Sequence, residues 1–152
     1  MKGSVLCNKE LSEGYYRMRL QCPEIAAEAR PGTFLTIRIS ELYEPLLRRP
    51  FTIYSYDPGR GTVDVVYKVV GVGTLLMSER RRGDKLDLLG PLGNGFAIPS
   101  NEENMVLVAG GTGIAALYYL AEKVVAEHGG GEMTLLMGGA GAPDINCIDD
   151  FE

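Results

Sequence analysis

Arg49 and Thr52 lie three residues apart in the segment 48–54, which reads RRPFTIY. Pro50 locks its own φ angle, so the neighbouring arginine is presented rigidly where a strand begins. A guanidinium placed there can bind a diphosphate through two parallel hydrogen bonds, and the Thr52 hydroxyl can donate to a ring nitrogen. The alternative is an edge strand with a solvated arginine pair, and the residues alone favour neither interpretation.

A second segment, 66–74, reads VYKVVGVGT and predicts a strand that runs into a glycine loop. Gly73 and Thr74 are predicted to open a short helix over 74–82. Backbone N–H groups at a helix start can bind an anion, and a threonine hydroxyl can serve there as a cap or as a ligand. Plain capping by Thr74, without any ligand, is the alternative.

A third segment, 110–116, reads GGTGIAA and follows the apolar run 105–109. These residues predict a strand buried on both faces, followed by glycines and then by a helix over 114–128. This order satisfies the dinucleotide-binding fingerprint. The second strand, 133–137, is followed by Gly138 and Gly139. The end of this strand therefore lacks the acidic residue that binds a ribose hydroxyl in NAD-dependent dehydrogenases.

Composition excludes several classes of function. The 152 residues carry a formal net charge of −5 and a pI near 5.0, which argues against nucleic-acid binding. There is no apolar run of about 18 residues, so no membrane span is expected. Three widely spaced cysteines favour free thiols in the cytoplasm and offer no metal site. The single histidine, His128, lies at a predicted helix end and is expected to be structural, and no hydrolase triad can be drawn without it.

The pattern of elements changes near residue 100. Before it, short β-rich runs separated by Gly/Pro turns are typical of an antiparallel barrel or sandwich. After it, strand, helix and strand form one βαβ unit, which is too little for a complete doubly wound sheet. We therefore predict two domains, 1–99 and 100–152, the second incomplete and ending in a loop from residue 140. The strands predicted in the first domain are 15–20, 34–39, 51–56, 62–70 and 85–89.

Taken in order, these motifs resemble the ferredoxin–NADP reductase superfamily. The segment 49–52 is similar to its flavin motif, Gly73 and Thr74 to its diphosphate loop, and the segment 110–113 to its nicotinamide-side glycine turn. The run 90–96, GPLGNGF, and the doubled arginine before Pro50 are similar to the electron-transfer subunits of class 1B dihydroorotate dehydrogenases.

The resemblance implies a mainly β fold, an antiparallel six-stranded flavin-binding barrel followed by an incomplete nucleotide-binding βαβ domain. It implies FAD as cofactor, NAD(H) as electron donor or acceptor, and Thr52 as the catalytic residue near flavin N5. The remaining cofactor-binding positions that it implies are Arg49, Pro50, Phe51, Val66, Tyr67, Lys68, Gly73, Thr74, Gly110, Gly111, Thr112 and Gly113.

The implied partner is a catalytic dihydroorotate dehydrogenase subunit in pyrimidine biosynthesis. Family members also hold a 2Fe–2S cluster in a four-cysteine segment, and those cysteines are absent from this sequence. Two alternatives stay open. One is a reductase subunit of a hydrogenase- or glutamate-synthase-type complex, and the other is a non-catalytic flavin- or partner-binding module.

Overall fold

A computed structural model of the chain describes residues 1–40, 45–98, 104–128 and 133–151. The predicted domain boundary near residue 100 and the glycine run 129–131 lie outside the described residues. The strands are β1 (Lys2–Ser12), β2 (Tyr15–Gln21), β3 (Phe34–Arg38), β4 (Arg49–Asp57), β5 (Thr62–Lys68), β6 (Lys85–Leu92), β7 (Met105–Gly110) and β8 (Met133–Gly138). The α-helices are α1 (Pro23–Glu28), α2 (Val72–Ser78) and α3 (Tyr118–His128).

The first six strands close into an antiparallel barrel in the order β1-β2-β5-β4-β3-β6, with β6 pairing back onto β1. This confirms the six-stranded barrel. The inward side chains form one apolar core that includes Met18, Leu35, Ile37, Val65 and Leu88. Burial of these side chains supplies the main free energy that holds the barrel together.

Strand β1 is missing from the sequence-based prediction. Its pairing with β2 shifts register twice, between Val5 and Cys7 and between Glu10 and Ser12. Each β-bulge moves the following side chains to the opposite face, so the alternation of apolar and polar residues is interrupted. The strand therefore has no period-two pattern along its length.

Strand β6 extends through Pro91 to Leu92, whereas the predicted strand ends at residue 89. Lys85–Asp87 pair with β1 and Leu88 is hydrogen-bonded to Met1, whereas Leu89 and Leu92 have register partners on β3 alone. Proline is tolerated in a strand that has no partner on the side of its missing N–H. The local geometry of the open edge thus explains the longer strand.

Helix α2 begins at Val72 and ends at Ser78, earlier at both ends than the predicted helix over 74–82. Gly71 is its N-cap residue, which places Gly73 and Thr74 inside the first turn. The prediction that Gly73 and Thr74 open the helix is therefore wrong by about two residues. Glycine at the N-cap is common because that position does not require helical dihedral angles.

Strands β7 and β8 form a parallel pair, in register from Met105 with Met133 to Gly110 with Gly138. The predicted burial of both sheet faces is wrong. Helix α3 packs on the face that carries Leu107, whereas Val108 on the other face is 70% exposed. Two hydrophobic neighbours on that open face, Val106 and Leu136, are exposed as well. No element of the described chain covers it.

The glycine turn differs from the predicted single helix over 114–128. Residues Gly111–Ala116 form a 3-10 helix, and the α-helix begins only at Tyr118. Tight 3-10 turns are frequent at helix N-termini. Beyond β8, the predicted loop contains two short 3-10 helices, Ala142–Asp144 and Ile148–Phe151. We call residues 139–151 the return segment because, after β8, it folds back onto the barrel.

Candidate functional site

A groove of about 320 Å³ opens between the barrel and the glycine turn. Two adjacent barrel strands, β4 and β5, form most of it, and the 3-10 helix after β7 closes one side. Its lining residues are Arg49, Pro50, Phe51, Thr52, Val66, Tyr67, Lys68, Val70, Thr74, Thr112 and Ala115. The structure thus brings together residues from all three motifs that the sequence singled out.

The two arginines before Pro50 have different surroundings. Arg48 donates to the Asp87 backbone carbonyl at 2.9 Å and to the Asp87 carboxylate at 2.7 Å, which fastens it to β6. Arg49 lines the groove, and its Nη1 donates to the Leu47 carbonyl at 2.7 Å. Arg48 and Arg49 are therefore not a solvated arginine pair. One arginine is structural and the other faces the candidate site.

Gly73 lies beside Arg49. A Cβ built at Gly73 would stand 3.4 Å from Arg49 Nε. The absence of a side chain leaves the loop backbone close to the guanidinium, as a cradle for an anionic group requires.

The Thr74 hydroxyl is engaged with its own loop. It accepts hydrogen bonds from the backbone N–H of Val70 at 2.9 Å and of Gly71 at 3.3 Å, and it donates to the Gly71 carbonyl at 3.1 Å. The side chain is almost fully buried. Thr74 therefore fixes the shape of the loop between β5 and α2, as a residue at the third helical position can.

Tyr67 connects the groove to helix α2. Its ring stacks on Tyr16 with centroids 5.6 Å apart and meets Phe51 edge-on, and its hydroxyl donates to Asn8 Oδ1 at 3.0 Å. Burial raises the pKa of Tyr67 further above its usual range. Asn8 escaped the sequence analysis because it lies on the unpredicted strand β1.

Lys68 is held at the end of the groove by two residues that the sequence analysis missed. Its Nζ donates to Asp144 Oδ1 at 2.8 Å and lies 4.8 Å from the centre of the Tyr15 ring. The Tyr15 hydroxyl donates to the same carboxylate. Hydrogen bonds from Lys68 and then Tyr15 lower the pKa of Asp144 to about 2. Tyr15 and Lys68 are register partners of β2 and β5, which a correct strand pairing would have shown.

The glycine turn contributes to the groove through Thr112 and Ala115, whereas Gly110, Gly111 and Gly113 do not line it. Gly111 has a φ of +49°, a conformation that L side chains rarely adopt. A Cβ built there would lie 3.6 Å from the Tyr15 hydroxyl. The glycine turn thus contacts the barrel directly, next to the end of the groove where Lys68 lies.

The return segment docks on the barrel through a second set of charges. Asp150 accepts from the Tyr54 hydroxyl and from Arg17 Nη1, the latter at 3.0 Å. Arg17 also donates to the buried carboxylate of Asp64 at 2.9 Å. Asp150 is exposed, and its carboxylate is nevertheless engaged by both Tyr54 and Arg17. Burial raises the pKa of Tyr54 well above its usual range, with a further contribution from the Asp150 hydrogen bond.

Comparison with known proteins agrees with this geometry. The family model for the oxidoreductase FAD-binding domain matches residues 4–111, which run from β1 into the glycine turn. This chain belongs to the FAD-binding oxidoreductase domain family. The groove residues on β4 and β5, including Arg49, Thr52 and Lys68, lie within the matched residues, whereas Thr112 and Ala115 lie just beyond them.

Curated relatives of this FAD-binding domain include two bacterial proteins. The electron transfer subunit of dihydroorotate dehydrogenase B (NAD(+)) from Desulforamulus reducens is 34% identical over 90% of this chain and 51% of its own length. The subunit of the same name from Shouchella clausii is 33% identical over 98% of this chain and 58% of its own length. The chain spans about half the length of the curated relatives it matches.

A solved structure shows the same fold. The NADH-dependent reduced ferredoxin–NADP oxidoreductase, described in relation to flavin-based electron bifurcation, superimposes with a TM-score of 0.87 at 31% identity. The match covers 99% of this chain and 52% of that chain. The closed barrel with an attached partial α/β unit is therefore the reductase fold that the sequence predicted.

A larger cavity, about 680 Å³, lies away from the groove between α3, β8 and the end of the return segment. Its lining is largely apolar, for example Val125, Met133 and Phe151, and it contains none of the sequence-predicted site residues. Within the described ranges, no group of three or more His, Cys, Asp or Glu side chains can hold a metal ion. Nor does any described helix have the length and apolar character needed to cross a membrane.

Proposed function

We propose that this FAD-binding domain belongs to an electron-transfer subunit that passes electrons between NAD(H) and a catalytic dihydroorotate dehydrogenase subunit in pyrimidine biosynthesis. The observation that carries the proposal is the single groove that combines the arginine strand, the Tyr67–Lys68 strand and the glycine turn. The names of the curated relatives support the choice of partner.

The groove fits the diphosphate of FAD at one end. Arg49 would bind the phosphates with its guanidinium, which suits the geometry of phosphate oxygens. Gly73 would allow the backbone to approach them, because a Cβ there would face Arg49 at 3.4 Å. Thr74 would act by holding the loop through Val70 and Gly71, since its hydroxyl is already engaged.

The middle of the groove fits the flavin ring. Pro50, Phe51 and Val66 offer apolar contact, and Tyr67 offers a buried ring. We assign Thr52 as the catalytic residue, with its hydroxyl directed at flavin N5. When bound, FAD supplies the exchange between two-electron and one-electron transfer. The protein would orient the flavin ring, exclude water from one face of it and present the side chains of Thr52 and Lys68 to it.

The nicotinamide half of NAD(H) would approach the glycine turn at 110–113, where Thr112 already lines the groove. Gly110 and Gly138 are register partners at the ends of β7 and β8, so the two strands end side by side there. Ligands of open α/β sheets bind beyond the carboxyl ends of the parallel strands, which supports this position. The 2Fe–2S cluster of the family is assigned to no residue of this chain.

Two further expectations stand as proposals. We divide the chain into a barrel domain, 1–99, and a partial nucleotide-binding domain, 100–152, because the barrel strands and the β7–β8 pair form separate sheets. We place the protein in the cytoplasm, because Cys7, Cys22 and Cys147 are free thiols.

The proposal is tested by adding FAD to the purified chain and recording its absorbance and fluorescence after removal of free FAD. One bound FAD per chain is expected, and a colourless protein would refute the proposal. Anaerobic NADH should then bleach the flavin absorbance. Finally, dihydroorotate with its catalytic dehydrogenase subunit should reduce the bound FAD, which a hydrogenase- or glutamate-synthase-type partner would not do.

A non-catalytic binding module is the second candidate, and one observation favours it. The β7–β8 sheet leaves Val106, Val108 and Leu136 exposed, so the nucleotide-binding unit is only partly built from described residues. On this alternative, the chain retains FAD while stoichiometric NADH leaves the flavin oxidised under anaerobic conditions. Reduction by NADH therefore separates the two candidates.

A further inference from the structure

A three-residue cluster joins the return segment to the end of the groove. Asp144 Oδ1 accepts from Lys68 Nζ at 2.8 Å and from the Tyr15 hydroxyl, and Asp144 Oδ2 accepts from the backbone N–H of Ala140 at 3.0 Å. Both carboxylate oxygens are therefore occupied. A carboxylate bonded on both oxygens is fixed in orientation, and so is the ammonium that it binds.

The cluster is rigidly mounted. Asp144 ends a short 3-10 helix whose backbone closes from Asp144 N to Gly141 O at 3.0 Å. A Cβ built at Gly139 would lie 2.6 Å from Asp144 Cβ, so the turn after β8 packs tightly against this residue. The Asp144 side chain is 15% exposed and the Lys68 side chain 43% exposed. The carboxylate is thus the better shielded of the two charges.

The cluster stands where three parts of the molecule meet. Lys68 lines the groove at the end of β5, Tyr15 lies against Gly111 of the glycine turn, and Asp144 belongs to the return segment. Lys68 therefore connects the Asp144 carboxylate to the groove.

We propose that Asp144 is a positioning residue. Its carboxylate holds the Lys68 ammonium at the end of the groove and offsets the positive charge that Lys68 presents to the bound flavin. The inference rests on the proposed function, because it takes FAD as the occupant of the groove. It adds a role for the return segment, which lies outside the residues matched by the FAD-binding family.

The charges fix the sign of the effect. A flavin gains electrons on reduction, so a nearby unpaired cation favours the reduced form and a nearby unpaired anion disfavours it. In the wild-type protein the two charges offset each other. Asp144→Asn leaves the cation of Lys68 unbalanced, whereas Lys68→Met leaves the carboxylate unbalanced. The two variants are therefore expected to act in opposite directions, and the double variant to lie between them.

The first measurement is the equilibrium between oxidised and reduced FAD in the reconstituted protein, followed by absorbance against a reference dye. We expect Asp144→Asn to shift the ratio toward the reduced form by at least about threefold, about 14 mV for a two-electron couple. Lys68→Met should shift it the other way by a similar factor. Shifts of both variants in the same direction, or none in either, would overturn the proposal.

The second measurement needs no FAD and so separates this inference from the proposed function. The hydrogen bond that Lys68 donates to Asp144 raises the pKa of Lys68, and the hydrogen bond with Tyr15 contributes next. In Asp144→Asn, acylation of Lys68 by a limiting amine-reactive reagent should become at least about threefold faster, as measured by peptide mass spectrometry. Lys123, which is 3.7 Å from Glu127, is the internal control and should not change. Equal Lys68 labelling in both proteins would refute the positioning role even if FAD binds.

Discussion

Tyr67 and Asn8 are joined by a hydrogen bond of 3.0 Å, and Asn8 in turn holds the end of helix α2. The Asn8 amide nitrogen lies 2.9 Å from the Met77 carbonyl and 3.2 Å from the carbonyls of Ser78 and Arg80. Met77 and Ser78 end the helix and Arg80 follows it, so Asn8 donates to carbonyls at and just beyond the helix C-terminus. A single side chain of β1 therefore connects the Tyr67 ring in the groove to the helix that begins after Gly71.

We expect Asn8→Ala to lower the free energy of unfolding by about 1–2 kcal/mol, because partly buried carbonyls and the Tyr67 hydroxyl lose their partner. Asn8→Asp should cost at least as much, since a carboxylate would face three carbonyl oxygens. Urea unfolding followed by circular dichroism measures both. Lys9→Ala on the same strand is the control, and an equal loss in that variant would contradict the role of Asn8.

Arg17 and Arg19 form a matched pair for testing how the return segment docks. Both donate to Asp64, whose side chain is only 2% exposed, but only Arg17 also reaches Asp150 and the Tyr54 ring. We expect Arg17→Met to lower the free energy of unfolding by about 2 kcal/mol and Arg19→Met by about 1 kcal/mol. Both arginines keep part of the guanidinium in water, which reduces the cost below that of a fully buried pair.

Urea unfolding of the two variants checks this order, with proteolysis of the return segment as a second readout. Arg17→Met should expose residues 139–151 to cleavage, whereas Arg19→Met should not. Equal cleavage of both variants would show that Asp150 does not dock the segment.

The titration of Asp144 gives a prediction about pH. Its pKa is lowered from 3.8 to about 2, chiefly by the Lys68 hydrogen bond. A lowered pKa means that the carboxylate contributes stability above about pH 4 and loses it as the pH falls from about 4 to about 2. Carboxyl NMR should give a midpoint near the lower value in the wild-type protein. In Lys68→Met the midpoint should rise but stay below 3.8, because Tyr15 still donates. An unchanged midpoint would contradict the assigned cause.

The arginines before Pro50 allow binding to be separated from folding. Arg49→Met should raise the Kd for FAD by about tenfold or more, because a charge-assisted hydrogen bond contributes about 1.5–3 kcal/mol. Arg48→Met should leave that Kd within about twofold, since Arg48 is bound to Asp87. Fluorescence titration of FAD measures both. If Arg48→Met weakened FAD binding as much as Arg49→Met, the assignment of the two roles would be wrong.

The sequence by itself determined most barrel strands, because β2 to β5 have local apolar patterns and end at Gly/Pro turns. It also marked the groove residues Arg49, Thr52 and Thr74 through their motifs, and Lys68 through the resemblance to a known family. It missed β1, where two bulges break the alternation on which pattern recognition depends. It also predicted both faces of β7 to be buried, because an apolar run shows the polarity of a strand and not what covers it.

Only the tertiary structure decided which partners the marked residues have. Lys68 is hydrogen-bonded to Asp144, which lies 76 residues away in the sequence, and Tyr67 is hydrogen-bonded to Asn8, which lies 59 residues away. Arg48 binds Asp87 across 39 positions, which separates it from the neighbouring Arg49. These contacts depend on barrel closure and on the return of the chain after β8. Such long-range contacts leave no local pattern in the sequence, so the groove was predictable while the side chains that hold it were not.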